Sequence, residues 1–216
     1  MKRKIALLAL LAVFAAIAAS GTIAYFTSET HAHNVITSGG IKVELKETMK
    51  LADGSIVDFP SVESGLENNL PPAMPGTSMS KIVKVQNMQE KAWIRTLVTI
   101  GISDEVNQKN LLLQVPDADG NMVDVVSFDI GEGWVKYEDD PYYYYTVPVE
   151  AFEEGKEPPE TAPLFEEVDF AKEMGNEYQN CKIYISVDAE AIQFANNELA
   201  DGDEITSVWP ADITFE

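Results

Sequence analysis

Trp93-Ile94-Arg95-Thr96-Leu97-Val98-Thr99-Ile100 is rich in β-branched and aromatic residues and carries apolar groups on both faces of an extended chain. It reads as a strand. Working outward, Lys81-Ile82-Val83-Lys84-Val85-Gln86 alternates with Val83 and Val85 on one face, and Ile41-Lys42-Val43-Glu44-Leu45 alternates as cleanly. Further period-two stretches lie at 111–115, 123–128, 134–137, 142–149, 164–170 and 182–189. Asp117-Ala118-Asp119-Gly120-Asn121 has the composition of a hairpin turn between two of them.

About nine short strands separated by loops predict a mainly β fold, two packed antiparallel sheets in a jelly-roll-like sandwich, with few short helices. The helix candidates are 168–180 and 189–197, where Glu190, Ile192, Gln193 and Asn196 suit a turn or two. Residues 49–75 shift to Gly, Ser, Asn and Pro, and 153–163 to Glu and Pro; both read as long exposed loops. In the run Tyr142-Tyr143-Tyr144-Tyr145 alternate rings face opposite sides, so two are expected in the core and two in solvent.

The chain opens on the basic Met1-Lys2-Arg3-Lys4, followed by an uncharged apolar run from Ile5 to Ala19. That run falls short of the about 20 apolar residues a membrane-crossing helix needs and matches the core of a secretory signal peptide. Ser20-Gly21-Thr22-Ile23-Ala24 supplies the small residues a signal peptidase requires, so 1–24 is expected to be a leader cut between Ala24 and Tyr25. Ala19 is the nearby alternative cut, and an uncleaved anchor extended by Ile23, Ala24, Tyr25 and Phe26 is the other reading. Residues 25–216 are then expected to form a single domain outside the cell.

The formal net charge is −21, and removal of the leader would take away Lys2, Arg3 and Lys4 but no acidic residue. So acidic a surface argues against nucleic acid and against anionic lipid as partners. Cys181 is the one cysteine, which rules out an intrachain disulfide; it lies on the apolar side of an alternating stretch and reads as a buried thiol rather than a nucleophile. His31 and His33 are the only histidines. A zinc site built from them with Glu29 would lack the helical His-Glu-x-x-His spacing, and no serine triad, phosphate loop or dinucleotide motif is present, so no enzyme and no cofactor is expected. Asp117, Asp119 and Asn121 resemble the first ligands of a calcium loop. Gly120 is misplaced for one, however, and Phe128 stands where the bidentate Glu belongs, which favours a plain turn.

Three stretches together resemble the TasA and camelysin proteins, which are exported by Gram-positive bacteria and processed by a signal peptidase of the SipW kind. The first is Gly21-Thr22-Ile23-Ala24-Tyr25-Phe26-Thr27-Ser28-Glu29-Thr30 with Asn34-Val35-Ile36-Thr37-Ser38-Gly39-Gly40-Ile41-Lys42-Val43. The second is Met74-Pro75-Gly76-Thr77, Val83-Lys84-Val85-Gln86-Asn87 and Ala92-Trp93-Ile94-Arg95. The third comprises Tyr142 to Tyr145, Thr161-Ala162-Pro163-Leu164-Phe165 and Ile185-Ser186-Val187-Asp188-Ala189-Glu190-Ala191-Ile192-Gln193. The resemblance implies a jelly-roll subunit of biofilm matrix fibres, or an accessory protein of them, in the extracellular matrix or at the cell surface. Its implied partners are further copies of itself, related matrix subunits and a SipW-like signal peptidase, with no membrane contact after cleavage.

Residues 25–46 are expected to act as a donor strand in such an assembly. A strand at a chain end, with Ile41, Val43 and Leu45 on one face, can leave its sheet and pair with the edge of a neighbour. Two other readings compete: a monomeric surface binding module that uses Trp134 and Tyr142 to Tyr145, and a metalloprotease of the camelysin kind.

Overall fold

The computed structural model describes residues 40–60, 70, 72–104 and 106–209, and the backbone of 25–28. The leader, Ala24, Glu29, His31, His33 and part of the 49–75 loop lie outside the described residues. The strands are β1 Tyr25–Ser28, β2 Val43–Lys50, β3 Ile56–Asp58, β4 Ser78–Asn87, β5 Ala92–Asp104, β6 Lys109–Asn110 and β7 Gln114–Pro116. They continue as β8 Met122–Asp124, β9 Val126–Ser127, β10 Trp134–Lys136, β11 Tyr142–Tyr145, β12 Phe165–Phe170 and β13 Lys182–Gln193.

The antiparallel two-sheet sandwich expected from the alternation is the architecture of the chain. One sheet runs β1-β13-β5-β11-β10 with β6 beside the end of β5, and the other runs β3-β2-β4-β12-β9. A small hairpin, β7-β8, stands apart. The consecutive pairs β4–β5 and β12–β13 each step from one sheet to the other, so β4 lies against β12 in one layer and β5 against β13 in the second. Among the described residues every ladder is antiparallel except that of β1 on β13.

Period-two alternation builds the core between the layers. Met79, Val83 and Val85 of β4, with Phe165, Val168 and Phe170 of β12, meet Ile94 and Ile102 of β5 and Ile183, Ile185, Val187 and Ala189 of β13. Cys181, at the foot of β13, is fully buried as expected, and burial pushes its thiol up to about 11. A second cluster forms on the outer face of the β13-β5-β11 sheet. There Trp93, Tyr144 and Ile192 are roofed by Ile205, Val208 and Trp209 from the segment that follows β13.

Five expectations are corrected. The stretch 49–75 is not one exposed loop: β2 runs on to Lys50, Ile56–Asp58 is β3 paired with it, and Phe59 and Ala73 are buried. Of the helix expected at 189–197, residues 189–193 are the end of β13, where Ala191 pairs with Ile94 and Ile192 with Trp93, and 194–197 form a turn closed by Asn197 N donating to Phe194 O. Burial on both faces of the sheet makes this end of β13 look unpatterned. The helix expected over 168–180 is strand to Phe170 and only a single 3-10 turn, Asn176–Tyr178, with the buried Tyr178 donating its hydroxyl to Leu112 O at 2.8 Å. The stretch 111–115 is not one strand; β6 and β7 flank an exposed Leu112 and Leu113.

Nor is the far end of the 153–163 loop free. Asn87 N donates to Pro159 O, Thr161 N to Val85 O and Leu164 N to Val83 O, so 159–164 prolongs the line of β12 along β4. Glu160 is fastened there by Lys46 and Lys84. Burial raises the pKa of this carboxyl, but the hydrogen bonds from the two ammonium groups outweigh it and hold the group below its ordinary value.

A carboxyl lowered in the folded state adds stability above its unfolded pKa, and that stability is lost as pH falls through the folded value. Glu160→Gln should therefore lower the unfolding free energy by about 1 kcal/mol at pH 7, a figure small because the site is partly solvated. Urea titrations repeated toward pH 3 should show wild type and variant converging.

Candidate assembly edge

β13 is a twelve-residue strand paired along its whole length with β5, from Lys182 opposite Ser103 to Gln193 opposite Ala92. Its inward side chains are Ile183, Ile185, Val187, Ala189 and Ala191, all buried. On its other side β1 pairs in parallel through Tyr25 with Lys182, Phe26 with Ile183, Thr27 with Tyr184 and Ser28 with Ile185. This ladder covers four of the twelve positions. Parallel pairing is slightly less stable per residue than antiparallel, and a four-residue edge strand opens far more readily than a core strand. It is the parallel ladder of its sheet, and it lies against a strand whose inward residues are all buried.

The two halves of the expected donor segment 25–46 therefore have different situations. Tyr25 stands in the edge strand β1. Ile41 and Val43 are buried in the chain's own core and Leu45 is half-buried; β2 lies inside the second sheet, with β3 on one side and β4 on the other. Val43 is opposite Asn87 and Leu45 opposite Val85. β3 flanks β2 only at Thr48, Met49 and Lys50, so the Val43–Leu45 stretch pairs with β4 on one side, while β1 is the strand nearest the beginning of the chain.

The outer face of the same sheet is occupied. Arg95 Nε donates to Glu190 Oε2 at 2.8 Å, with both side chains buried. The guanidinium carbon lies 3.9 Å from the centroid of the Tyr142 ring and 4.3 Å from that of Trp209. Burial raises the pKa of Glu190, against the opposing pull of Arg95 and of the Tyr142 hydroxyl. Tyr144 is buried and donates to Asp140 Oδ2 at 2.7 Å, and burial with that bond pushes its phenol up to about 12. Tyr142, Tyr143 and Tyr145 are all partly covered, so no pair of tyrosines stands out in solvent as alternation suggests. Trp134 is buried, its indole N–H on Ala162 O at 3.0 Å, which removes it too from any exposed aromatic platform.

Asp117, Asp119 and Asn121 form the β7-β8 turn. Asp117 Oδ1 accepts from the backbone N–H of Asp119 at 2.9 Å and of Asn121 at 2.8 Å, Oδ2 accepts from Asn121 Nδ2 at 3.2 Å, and Gly120 takes φ 87°. The Asp117 carboxylate is thus spent on the turn itself. An open cleft of about 460 Å³ lies between 129–132 and 162–169, lined by Asp129, Glu132, Glu166, Glu167 and Asp169. Gly131 forms its floor, and a Cβ there would fall 2.0 Å from Pro163 O. Among the described residues no cluster of His, Cys, Asp or Glu is arranged to hold a metal, and no helix is long and apolar enough to cross a membrane.

Two buried ion pairs, Arg95–Glu190 and Lys81–Glu47, escape a reading by hydropathy. The signal was present: Lys81 shares its strand face with Val83 and Val85, and Arg95 lies within the strand that is apolar on both faces. No known family, no curated protein and no solved structure matches the chain.

Removing one partner of a buried pair strands the other charge, at a cost of about 3–5 kcal/mol. Glu190→Ala should lose that much in urea unfolding, whereas Arg95→Met with Glu190→Leu should lose much less.

Proposed function

We propose that this protein is an exported structural subunit, or an accessory component, of extracellular matrix fibres, and that it assembles by passing its N-terminal strand to a neighbour. The observation that carries the reading is the parallel, four-residue pairing of β1, at the chain's beginning, on the edge of β13. The leader-like opening and the resemblance to fibre-forming exported proteins support it.

Signal peptide removal before Tyr25 would free β1 at one end while β2 holds the other end in the second sheet. When β1 leaves its own β13, the bare edge accepts the β1 of another subunit, with backbone hydrogen bonds supplying affinity and alternate side chains the register. The same β1 to β13 contact repeated head to tail does not close, so it yields a filament. The partners are further copies of the chain or related subunits, and a SipW-like peptidase that makes the cut. The covered outer face weighs against a monomeric module reading glycans through exposed aromatic residues.

Deleting Tyr25 to Asn34 from the mature protein should abolish fibres in electron micrographs and leave a stable monomer on size exclusion; fibres from the truncated protein would overturn the proposal. Because subunits this acidic repel one another, assembly of the intact protein should accelerate in salt and near pH 4 to 5, where carboxylates begin to protonate.

A further inference from the structure

Lys81 lies on the inner face of β4, in line with Met79, Val83 and Val85, and its side chain has no exposure. On β2, Glu47 stands opposite Val83, which places it diagonal to Lys81 on the same face. Diagonal neighbours across an antiparallel pair are about 7–8 Å apart at the backbone, within reach of two long side chains. These two meet: Lys81 Nζ is 2.6 Å from Glu47 Oε1, and the Glu47 side chain is 6% exposed. The buried Phe59 ring closes over the ammonium with its centroid 4.1 Å from Nζ.

The chemistry of this pair differs from that of Arg95–Glu190. A guanidinium stays protonated in proteins and offers no nucleophilic nitrogen, whereas a buried lysine readily gives up its proton. Burial lowers the pKa of Lys81 despite the opposing pull of Glu47. The remaining lysine–carboxylate pairs among the described residues are all at least partly solvated on both partners. Lys81 and Glu47 alone among these combine an amine with a carboxyl group in contact and out of water.

We propose that Lys81 and Glu47 are the site of an intramolecular amide cross-link joining β2 to β4. The ammonium passes one proton to the carboxylate along their hydrogen bond, giving a neutral amine and a neutral acid. Nζ then forms a bond to Cδ of Glu47, the bond from Cδ to one carboxyl oxygen breaks, and that oxygen leaves as water carrying the second proton. Nothing is oxidised or reduced and no co-reactant is needed. Groups held in contact react as if at effective concentrations on the order of 10⁵–10⁸ M, which compensates for the sluggishness of the same condensation in water. The product also replaces two desolvated charges by one neutral amide, removing the burial penalty that an ion pair carries in a core. The inference is independent of fibre assembly.

Intact-mass spectrometry and peptide mapping of the full chain after incubation at neutral pH test it. The expected result is a protein one water lighter than its sequence, with a branched peptide linking residues 47 and 81. Lys81→Arg and Glu47→Ala should restore the full mass, and Glu47→Gln should close the link with loss of ammonia instead of water. A wild-type mass equal to its sequence, with 47 and 81 in separate peptides, would overturn the proposal. So would a water loss that persists in Lys81→Arg. The wild-type map decides the matter even where a variant fails to fold.

Discussion

The β5–β13 ladder is the constraint on which the remaining structure hangs. Twelve consecutive pairs fix the register of two long strands, and each strand carries side chains that must be covered on both faces. The inner face is covered by β4 and β12 across the core, and the outer face by the Ile205, Val208 and Trp209 segment that returns over Trp93 and Ile192. A one-residue slip of this ladder would turn Ile183, Ile185 and Val187 outward and drive Glu190 and Lys182 into the core, so register is strongly specified. With both faces committed and β5 on one flank, the remaining flank of β13 is where the sheet meets β1.

Polar groups inside the sandwich are settled in pairs rather than avoided. Arg95 and Glu190 sit under aromatic rings on the outer face, and Lys81 and Glu47 sit against Phe59 within the core. Asn87, fully buried, donates through Nδ2 to Glu90 O at 2.7 Å and to Glu150 O at 2.9 Å, and so ties the β4–β5 turn to the chain after β11. Buried charges of this kind contribute little net stability compared with apolar residues, but each strongly penalises arrangements that leave a partner behind. A register that parted Glu190 from Arg95, or Lys81 from Glu47, would leave a buried charge without its partner.

Much of this was legible in the residues, and the exceptions have physical causes. Alternation located β2, β4, β12 and most of β13, because one face of each is buried more than the other; β5 was read from its β-branched and aromatic content and the Asp117 to Asn121 turn from its composition. Alternation failed where both faces are buried: Ala189, Glu190, Ala191 and Ile192 show no period of two, and a charged residue among them suggested a helix surface. It failed also in the 159–164 stretch, whose Glu and Pro composition gave no hint that Lys46 and Lys84 hold Glu160 in place. At the candidate edge, the leader-like opening drew attention to the beginning of the chain. Which strand stands at the edge was not readable, because pairing of β1 with β13 joins residues more than 150 positions apart in a parallel sense that no local pattern encodes.

A disulfide trap tests the β1 to β13 exchange between subunits most directly. In a Cys181→Ser background, one preparation carries Thr27→Cys and a second carries Tyr184→Cys, positions that face each other in the β1–β13 register. The two are mixed, assembled and oxidised. Strand exchange predicts a disulfide-linked dimer containing one chain of each kind, formed only as fibres grow. Fibres that grow without any such cross-link would contradict it.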